Sequence, residues 1–350
     1  MTKNQNLSTF PIHLNGMPYF FDKKYYLCSM IVNRIFRVSS NTEFETTALE
    51  VFRFQAEHCA VYKQYLQLLG TDIGAISSIE DIPMLPIELF KSHTVYSATT
   101  EPEAVFTSSA TTGMTPSRHA VADLTIYERA FTEAFARFYG DVSGWSIYGL
   151  LPSYLERSGS SLIYMVDNLI RKAAGGGFYL NEYEKLIADM AADPHPKILI
   201  GVTYALLDLA EQFAPKLTNT VVMETGGMKG HRKEISKAEL HTILCSAFGV
   251  DRIHSEYGMA ELLSQGYSVG EGLFATPPWM RVMVRDVNDP FKCLGHSRRG
   301  AINIIDLANI FSCSFIATQD MGIAYSDNTF RIEGRVSDAD IRGCNLLVQQ

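Results

Sequence analysis

The chain has 350 residues, of which 47% are hydrophobic and 19% are charged, so it is long enough to bury a large core. Its formal net charge of -8 excludes the general nucleic-acid grip that needs a basic face, but a nucleotide needs only a few local donors. Scattered cysteines without a Cys-x-x-Cys pair argue against a zinc site and a disulfide scaffold. No uncharged apolar run reaches membrane-spanning length, and MTKNQNLSTFPIHLNG lacks the apolar core of a signal peptide, which predicts a cytoplasmic protein.

Along the first part of the chain, apolar spacing predicts alternating helices and strands. Residues 43–70, EFETTALEVFRFQAEHCAVYKQYLQLLG, carry apolar side chains at three-four spacing and close on glycine, which predicts one long amphipathic helix. The prolines of SSIEDIPMLPIELFKSH predict an extended connector. EAVFTSS then predicts a short buried strand and ADLTIYERAFTEAFARFYG a helix, so the unit is a strand, a hydroxyl- and glycine-rich loop and a helix.

The alternation repeats further along the chain. WSIYGLLP, KILIGV and TVVMETGG predict strands, and each precedes a predicted helix: SGSSLIYMVDNLIRKAAGGG, YALLDLAEQFA and SKAELHTILCSAFG. This order is typical of an α/β fold with mostly parallel, helix-covered sheets, in which ligands bind at the carboxyl ends of the strands. From about Gly272, PPWMRVMVRDV, AINIIDLANI and TFRIEGRV predict strands, so we expect an α/β core over residues 1–271 and a β-rich subdomain over 272–350.

The loop after EAVFTSS is the first candidate binding site. FTSSATTGMTPSRHAV combines small hydroxyl side chains with a glycine, at Ser108, Ser109, Thr111, Thr112 and Gly113. Successive backbone N–H groups in a turn form a concavity for anions, a following helix N-terminus adds to the attraction, and hydroxyls donate to phosphate oxygens. An ordinary Ser/Thr turn that caps the next helix explains the same segment equally well, so both interpretations stay open on these residues alone.

Two later loops place glycines, an aromatic ring and a carboxylate at strand ends. ETGGMKG puts Gly226 and Gly227 where a flat base can lie against exposed backbone. EYGMAE puts Tyr257, Gly258 and Glu261 at the next strand end, where the ring can stack a base and the carboxylate can hold Mg²⁺.

Two charged residues near the C-terminus complete the candidate set. TQDMG supplies Asp320, which can bind ribose hydroxyls, and EGRVSDADIRG supplies Arg335. Considered alone, Asp320 is more often a turn residue and Arg335 more often part of a surface ion pair. His119, His231 and His254 lie beside these loops, and for each a packed core histidine is the favoured interpretation, although His254 is also placed to orient a carboxylate substrate.

Taken together and in this order, these segments resemble the acyl-adenylate-forming enzymes, and most closely the LuxE family of acyl-protein synthetases. The resemblance extends from LEVFRFQAEH to IRGCNLLV, and its most specific parts are FTSSATTGMTPSRH, LPSYLERSGSSLIYMVDNLI, ETGGMKG, SEYGMAELLSQ and IRGCNLL. It implies the N-terminal domain fold of the adenylate-forming enzymes, with ATP and Mg²⁺ as cofactors.

The resemblance also implies a role for each matching position. The ATP phosphates would lie against the hydroxyl-rich loop, with Arg118 near the family's basic position. Glu261 would bind Mg²⁺, Asp320 the ribose, and the residues around adenine would be Gly226, Gly227, Tyr257 and Gly258, with Arg335 nearby. LPSYL resembles a segment that helps to line the acyl pocket.

Two positions depart from the family's adenylating signature. Ala110 stands where glycine is usual, and a methyl group there costs on the order of 1 kcal/mol or more if the position needs positive φ. Ala260 stands where threonine is usual, and it lacks a hydroxyl that would meet the nucleotide phosphate. Reduced activity, or a site that only binds, is therefore one expectation from these residues.

Cys344 is the acyl acceptor that the resemblance implies. The chain stops at Gln350, so we expect it to lack the C-terminal lid domain of typical adenylating enzymes, as the LuxE family does. In that family a cysteine near the C-terminus takes the acyl group as a thioester, and Cys344 is the only cysteine in the last thirty residues. The residue type alone favours a buried structural cysteine, whereas the resemblance favours the nucleophile.

The leading expectation is ATP-dependent activation of a fatty or aryl carboxylic acid as acyl-AMP. The acyl group would pass to Cys344 and then to a partner such as a reductase, an acyltransferase or a carrier protein, and the catalytic residues would be Cys344, Glu261 and Arg118. Two alternatives are direct transfer to coenzyme A or a carrier protein, and a degenerate protein that binds a nucleotide or acyl group without catalysis.

Overall fold

The computed structural model describes residues 10–14, 17–21, 31–108, 115–151, 159–226 and 235–336. Within these ranges, no helix combines the length and apolar character needed to cross a bilayer. Near the N-terminus, β1 (Phe10–Leu14) and β2 (Met17–Phe21) pair antiparallel as a hairpin.

The predicted long helix is two helices. α1 spans Asn41–His58 and α2 spans Ala60–Leu69. They are separated by Cys59, whose backbone is extended with φ -87° and ψ 104°. The three-four spacing of apolar residues continues through this position, so the spacing alone does not reveal the break. The end of α2 is confirmed at Gly70, which adopts the left-handed region with φ 67°.

The connector after α2 contains two short elements. β3 (Leu85–Pro86) pairs parallel with a strand of the main sheet, and α3 (Leu89–Ser92) follows almost at once. Phe90 of α3 is buried, and its ring packs edge-on against the ring of His119 at a centroid distance of 5.8 Å. This contact ties the connector to the segment that follows the hydroxyl-rich loop.

The strand before the hydroxyl-rich loop is half of a hairpin. β4 (Ala104–Thr107) pairs antiparallel with β5 (Arg118–Val121), outside the main sheet. α4 (Leu124–Tyr139) begins only after β5, with Asp123 as its N-cap. The prediction that a helix N-terminus directly follows the loop is therefore wrong, because the whole of β5 lies between the loop and the helix.

Five parallel strands form one half of the main sheet, as the alternation predicts. In spatial order they are β7 (Gly175–Phe178), β6 (Ser146–Leu150), β8 (Lys197–Val202), β9 (Thr220–Thr225) and β10 (His254–Tyr257). The helices between them are α5 (Ser161–Lys172), α6 (Tyr183–Ala192), α7 (Thr203–Gln212) and α8 (Lys237–Phe248). Every residue of β6 and β8 is buried, as a sheet covered by helices requires. The carboxyl ends of all five strands lie on one edge of the sheet.

Antiparallel strands continue the same sheet from β10 to the end of the described chain. They are β11 (Gly266–Ser268), β12 (Phe274–Ala275), β13 (Met280–Arg285), β14 (Cys293–Leu294), β15 (Arg299–Asp306), β16 (Phe315–Ala324) and β17 (Thr329–Arg335). Their spatial order beyond β10 is β11, β12, β17, β16, β15, β13 and β14. The β-rich end is confirmed, and the sheet passes residue 271 without a break, so the division of the chain there stays a prediction.

Candidate active site

The segment between β10 and β11, residues 258–265, is irregular, and buried side chains from elsewhere bind its backbone. His119 Nδ1 lies 2.8 Å from the carbonyl oxygen of Ala260. The side-chain amide of Asn309 donates to the carbonyl oxygen of Glu261 at 2.8 Å. Because both His119 and Asn309 are buried, these contacts fix the main chain on each side of the Glu261 side chain.

A buried carboxylate, Asp306, binds the next turn of the same segment. It accepts hydrogen bonds from the backbone N–H groups of Leu263 and Ser264 at 2.8 and 2.9 Å, and from the Ser264 hydroxyl at 2.6 Å. Burial raises the pKa of Asp306, although these donors oppose the rise. The segment that carries Glu261 therefore has a fixed backbone without being a helix or a strand.

The hydroxyl-rich loop is closed at its base by two serines. Ser108 N donates to the carbonyl oxygen of Ser117 at 3.1 Å, and Ser117 N donates to Ser108 Oγ at 2.9 Å. The Ser108 hydroxyl thus accepts a hydrogen bond within the loop. The other predicted phosphate-binding residues of this loop lie outside the described residues: Ser109, Thr111, Thr112 and Gly113.

Glu261 lies near the base of that loop and is only 4% exposed. Burial raises the pKa of Glu261, while the Ser117 side chain and the charges of Lys91 and Arg335 oppose the rise. The base of the loop and the carboxylate are therefore near each other, and their roles as a phosphate site and a metal site stay predictions.

Three other predicted residues form a connected group on neighbouring strands. Tyr257 of β10 donates its hydroxyl to Asp320 Oδ2 of β16 at 2.7 Å. Asp320 Oδ1 lies 3.5 Å from Nε of Arg335, its register partner on β17. The Tyr257 ring packs edge-on against both Phe274 and Phe330, at centroid distances of 5.9 and 5.4 Å, so the phenol has a fixed orientation. Burial raises the pKa of Tyr257 well above its usual value, so the phenol stays protonated.

The end of β9 has the geometry that its glycine pair predicts. Gly226 has φ 70°, a conformation that side chains disfavour, and its carbonyl oxygen accepts a hydrogen bond from Thr203 Oγ1 at 2.9 Å. Two residues earlier, the buried Glu224 accepts a hydrogen bond from Lys237 Nζ at 2.5 Å. Lys237 begins α8, where a cation is unfavourable for the helix dipole, so its position is explained by Glu224.

The remaining candidates have different environments. Arg118 is exposed on β5, opposite Thr107 at the loop end of the hairpin. Gly258 is exposed at the end of β10, and a Cβ atom there would lie 2.5 Å from Glu256 Oε1. The positions that lie outside the described residues are Ala110, Gly227, His231 and Cys344.

The two candidate histidines in the described residues, His119 and His254, are packed, as expected. His119 is 1% exposed, and burial lowers its pKa to about 4. His254 Nδ1 lies 3.0 Å from the hydroxyl of Tyr139, and burial lowers its pKa to about 4 as well. Both rings are therefore neutral at pH 7, and the role of orienting a carboxylate substrate gains no support for His254.

Sequence reasoning missed the residues that position Glu261. Ser117 and His119 lie within the quoted loop segment but differ in no obvious way from ordinary turn and strand residues. Asp306 and Asn309 gave a usable signal, because they interrupt the apolar run AINIIDLANIF and both are buried. A polar residue inside such a run needs a hydrogen-bond partner, and here the partner is the irregular segment.

A cavity of about 430 Å³ lies away from the candidate site residues. Its lining includes Phe54, Thr99, Glu101, Asp123 and Phe311, so it opens at the end of β5 opposite to Arg118. It does not coincide with the group formed by the candidate residues. The two carboxylates at its edge that cap α4, Glu103 and Asp123, bind the backbone N–H groups of Leu124 and Thr125.

Part of the chain is similar to a known protein family. Residues 36–150 match the family model of the acyl-protein synthetase LuxE. The LuxE match includes the hairpin of β4 and β5 with its hydroxyl-rich loop, and it confirms the resemblance there. A search of curated protein sequences gave no match.

Solved structures of acyl-CoA ligases share the fold. ATP-bound MatB from Rhodopseudomonas palustris superposes with a TM-score of 0.52 and 16% identity over 66% of this chain and 48% of that chain. 2-Hydroxyisobutyryl-CoA ligase in an open conformation with 2-HIB-AMP and CoA superposes with a TM-score of 0.62 and 16% identity, over 87% of this chain and 78% of that chain. The same ligase in the postadenylation state superposes with a TM-score of 0.63 and 15% identity, over 86% of this chain and 69% of that chain. The fold class is thereby confirmed, and the present chain spans about half the length of MatB.

Proposed function

We propose that this protein activates a fatty or aryl carboxylic acid with ATP as acyl-AMP and then transfers the acyl group to Cys344 and on to a partner protein. One observation supports this most strongly. The hydroxyl-rich loop and Glu261 are separated by about 150 residues in sequence, yet His119, just after the loop, lies 2.8 Å from the carbonyl oxygen of Ala260, the neighbour of Glu261. A phosphate group on the loop would therefore lie beside a carboxylate suited to a divalent cation. The family match over residues 36–150 and the fold of the ligases support the same class of reaction.

In the proposed site, the nucleotide lies along the carboxyl ends of β9 and β10. The ring of Tyr257 and the backbone of Gly226 would flank the adenine. Asp320 would accept hydrogen bonds from the ribose hydroxyls, and its contacts with Tyr257 and Arg335 fix the carboxylate for that role. The phosphates would bind the N–H groups and hydroxyls of the loop, with Arg118 nearby.

Glu261 has the chemistry of a Mg²⁺ ligand. Mg²⁺ prefers oxygen donors and is commonly held by one or two carboxylates together with substrate phosphates. Within the described ranges, no three His, Cys, Asp or Glu side chains come together as a metal site, so a single carboxylate and the phosphates fit this donor set best. When bound, the ion would neutralise phosphate charge. Glu261 would hold it in place because the backbone on either side is fixed by His119 and Asn309.

The proposed reaction has two steps. A carboxylate oxygen of the acid attacks the α-phosphorus of ATP, an O–P bond forms, and the bond to pyrophosphate breaks. The Cys344 thiolate then attacks the acyl carbon, AMP leaves, and a thioester remains for transfer to the partner. An ionised carboxylate needs no general base, which agrees with the neutral, packed state of His119 and His254.

The test is pyrophosphate release with a panel of carboxylic acids, followed by intact-mass detection of an acyl adduct. We expect release with at least one acid, an adduct on the wild type, and no adduct on Cys344→Ser. Glu261→Gln removes the charge but keeps the shape, and we expect it to reduce release by at least a hundredfold, an order-of-magnitude figure for loss of a metal-binding charge. ATP binding by calorimetry without release for any acid would mean that the site only binds.

Direct transfer to coenzyme A is the second candidate. It is supported by 2-hydroxyisobutyryl-CoA ligase, which shares the fold and was solved in complex with 2-HIB-AMP and CoA. This alternative predicts that Cys344→Ala still forms an acyl-CoA when CoA is supplied. The acyl-protein route predicts that the same variant releases pyrophosphate once and then stalls.

A further inference from the structure

The cavity of about 430 Å³ is formed by parts of the chain that lie far apart in sequence. Its walls come from Val32, from Phe54 of α1, from residues between 97 and 103, from the start of α4 and from Phe311. None of the described residues that we assign to the nucleotide lines it. Small-molecule sites typically have a volume of roughly 300–1,000 Å³, so this cavity has room for an organic ligand.

The inner wall of the cavity is apolar. Phe54 and Ile126 are buried, and Val32 and Phe311 are half-buried. Apolar side chains around an open space favour a ligand with apolar surface of its own, because both surfaces then leave water. A small hydrated ion gains nothing from such a wall. In agreement, no three His, Cys, Asp or Glu side chains of the described chain are arranged to hold a metal ion.

The charged side chains of the lining are all carboxylates. They are Glu101, Glu103 and Asp123, and the described lining residues include no Lys, Arg or His. No ion pair between described residues involves any of the three. A helix N-terminus carries about half a positive charge, so the start of α4 compensates only part of their charge. The cavity therefore has a surplus of negative charge.

Hydrogen bonds hold two of these carboxylates in place without neutralising them. Glu103 accepts from the backbone N–H of Leu124 at 2.7 Å, and Asp123 accepts from the backbone N–H of Thr125 at 2.8 Å. Both donors are uncharged, so each carboxylate keeps its charge. Glu101 is exposed, and replacing it therefore tests the charge of the cavity without removing a cap of α4.

We propose that this cavity is a second ligand site, which binds a protonated amine with an apolar body. The ammonium group pairs with the carboxylates of the lining, and the apolar body packs on Phe54, Ile126 and Phe311. The same negative charges repel a carboxylate, so the cavity does not take the acid that is activated. The inference is independent of the proposed function, because the two depend on different residues.

The experiment compares probes of the same carbon number that differ in their polar end: hexylamine, hexanol and hexanoate. Their binding to the full-length protein is measured by isothermal titration calorimetry in phosphate buffer at pH 7. We expect hexylamine to bind at a single site, hexanol to bind at least about threefold more weakly, and hexanoate to give no detectable binding. Added salt should weaken the binding of hexylamine and leave that of hexanol nearly unchanged, because salt screens charges.

Two variants separate the charge of the cavity from its space. Glu101→Gln removes one exposed charge and should weaken hexylamine about threefold without affecting hexanol. Ala98→Leu enlarges a side chain of the lining and should weaken both probes at least about tenfold, because it fills the space.

The matched control is Glu184→Gln on α6, an exposed carboxylate outside the lining, which should change neither affinity. If circular dichroism shows that Ala98→Leu does not fold, the comparison of Glu101→Gln with Glu184→Gln and the salt series still decide the inference.

Four results would each overturn the inference. Binding of hexanol or hexanoate as tight as that of hexylamine would mean that charge does not select the ligand. The absence of hexylamine binding to the wild type would mean that the cavity is not open to a small amine in solution. An equal response of Glu101→Gln and Glu184→Gln would place the amine elsewhere on the surface. Competition between hexylamine and ATP would place it in the nucleotide group.

Discussion

Replacing Lys237 with methionine tests whether the buried pair under the β9 glycines stabilises the fold. Lys237 Nζ lies 2.5 Å from Glu224 Oε1 and 3.3 Å from Ser255 Oγ. It also lies 5.0 Å above the ring of Phe274, and methionine keeps much of that packing. The substitution thus removes the charge with little change in volume and leaves Glu224 as a buried carboxylate without its cation.

The expected cost follows from the burial of the two partners. Removing one partner of a fully buried ion pair costs about 3–5 kcal/mol. Glu224 is 3% exposed, but the Lys237 side chain is 36% exposed, so solvent screening reduces the expected cost to about 2 kcal/mol. An unfolding entropy of about 2 cal/mol/K per residue over 350 residues converts this cost into a fall in Tm of about 3 °C.

The environment of Glu224 also determines how the stability of the protein changes with pH. Burial alone would raise the pKa of Glu224, but the neighbouring His241 and Lys237 outweigh it and hold the pKa below its usual value. In the wild type this carboxylate therefore contributes stability above the unfolded pKa, and the contribution is lost as the pH falls through the folded pKa. In Lys237→Met the lysine charge no longer offsets the effect of burial on the pKa of Glu224. The variant therefore regains stability as the Glu224 carboxylate takes up a proton. The difference in Tm should narrow as the pH falls from 7 towards 5.

The assay is thermal unfolding at several pH values with a matched lysine as control. Lys185→Met removes a cation that lies 3.8 Å from Glu182 with 62% of its side chain exposed, and we expect a cost below about 0.5 kcal/mol. The double variant Glu224→Gln with Lys237→Met should recover most of the loss, because no buried charge remains. The reasoning is refuted if Lys237→Met costs no more than Lys185→Met, or if the double variant is as unstable as the single one.

Two further predictions concern the backbone and a histidine. Gly226→Ala places a side chain at φ 70° and should cost on the order of 1 kcal/mol in unfolding free energy, whereas Gly144→Ala, where a Cβ atom would meet nothing within 4 Å, should cost less. Equal costs would contradict the assigned conformation. The His119 ring should stay neutral in NMR titrations down to about pH 4, so stability should fall as the pH drops below 6.5, where only the unfolded state takes up the proton. A His119 titration near 6.5 would contradict this.

Much of the sheet could be predicted from the sequence because its strands have distinct patterns. KILIGV and TVVMET are continuous apolar or β-branched runs between helical segments, and they coincide with β8 and β9. α5 and α8 begin after Ser160 and Ser236, whose side chains accept hydrogen bonds from the backbone N–H groups of Ile163 and Glu239. These features are local, so neighbouring residues in the sequence are enough to reveal them.

The errors arise where a local pattern has two solutions. RHAV is too short to reveal a strand, so the sequence predicts that the loop leads directly into a helix, and it does not predict β5. Cys59 lies within continuous apolar spacing, and only its backbone conformation divides α1 from α2. The glycines after Lys172 are a further error, because the predicted helix SGSSLIYMVDNLIRKAAGGG includes them, whereas they begin β7, where the backbone packs closely against Ile147.

The distance between the hydroxyl-rich loop and Glu261 depends on side chains rather than on the sheet. β4 and β5 are not hydrogen-bonded to the main sheet within the described residues, so the register of that sheet does not place the loop. One contact does so instead: His119, on the strand just after the loop, binds the carbonyl oxygen of Ala260. The order of the motifs in the sequence identifies the components of the site, but their convergence rests on this hydrogen bond, which links residues 141 positions apart.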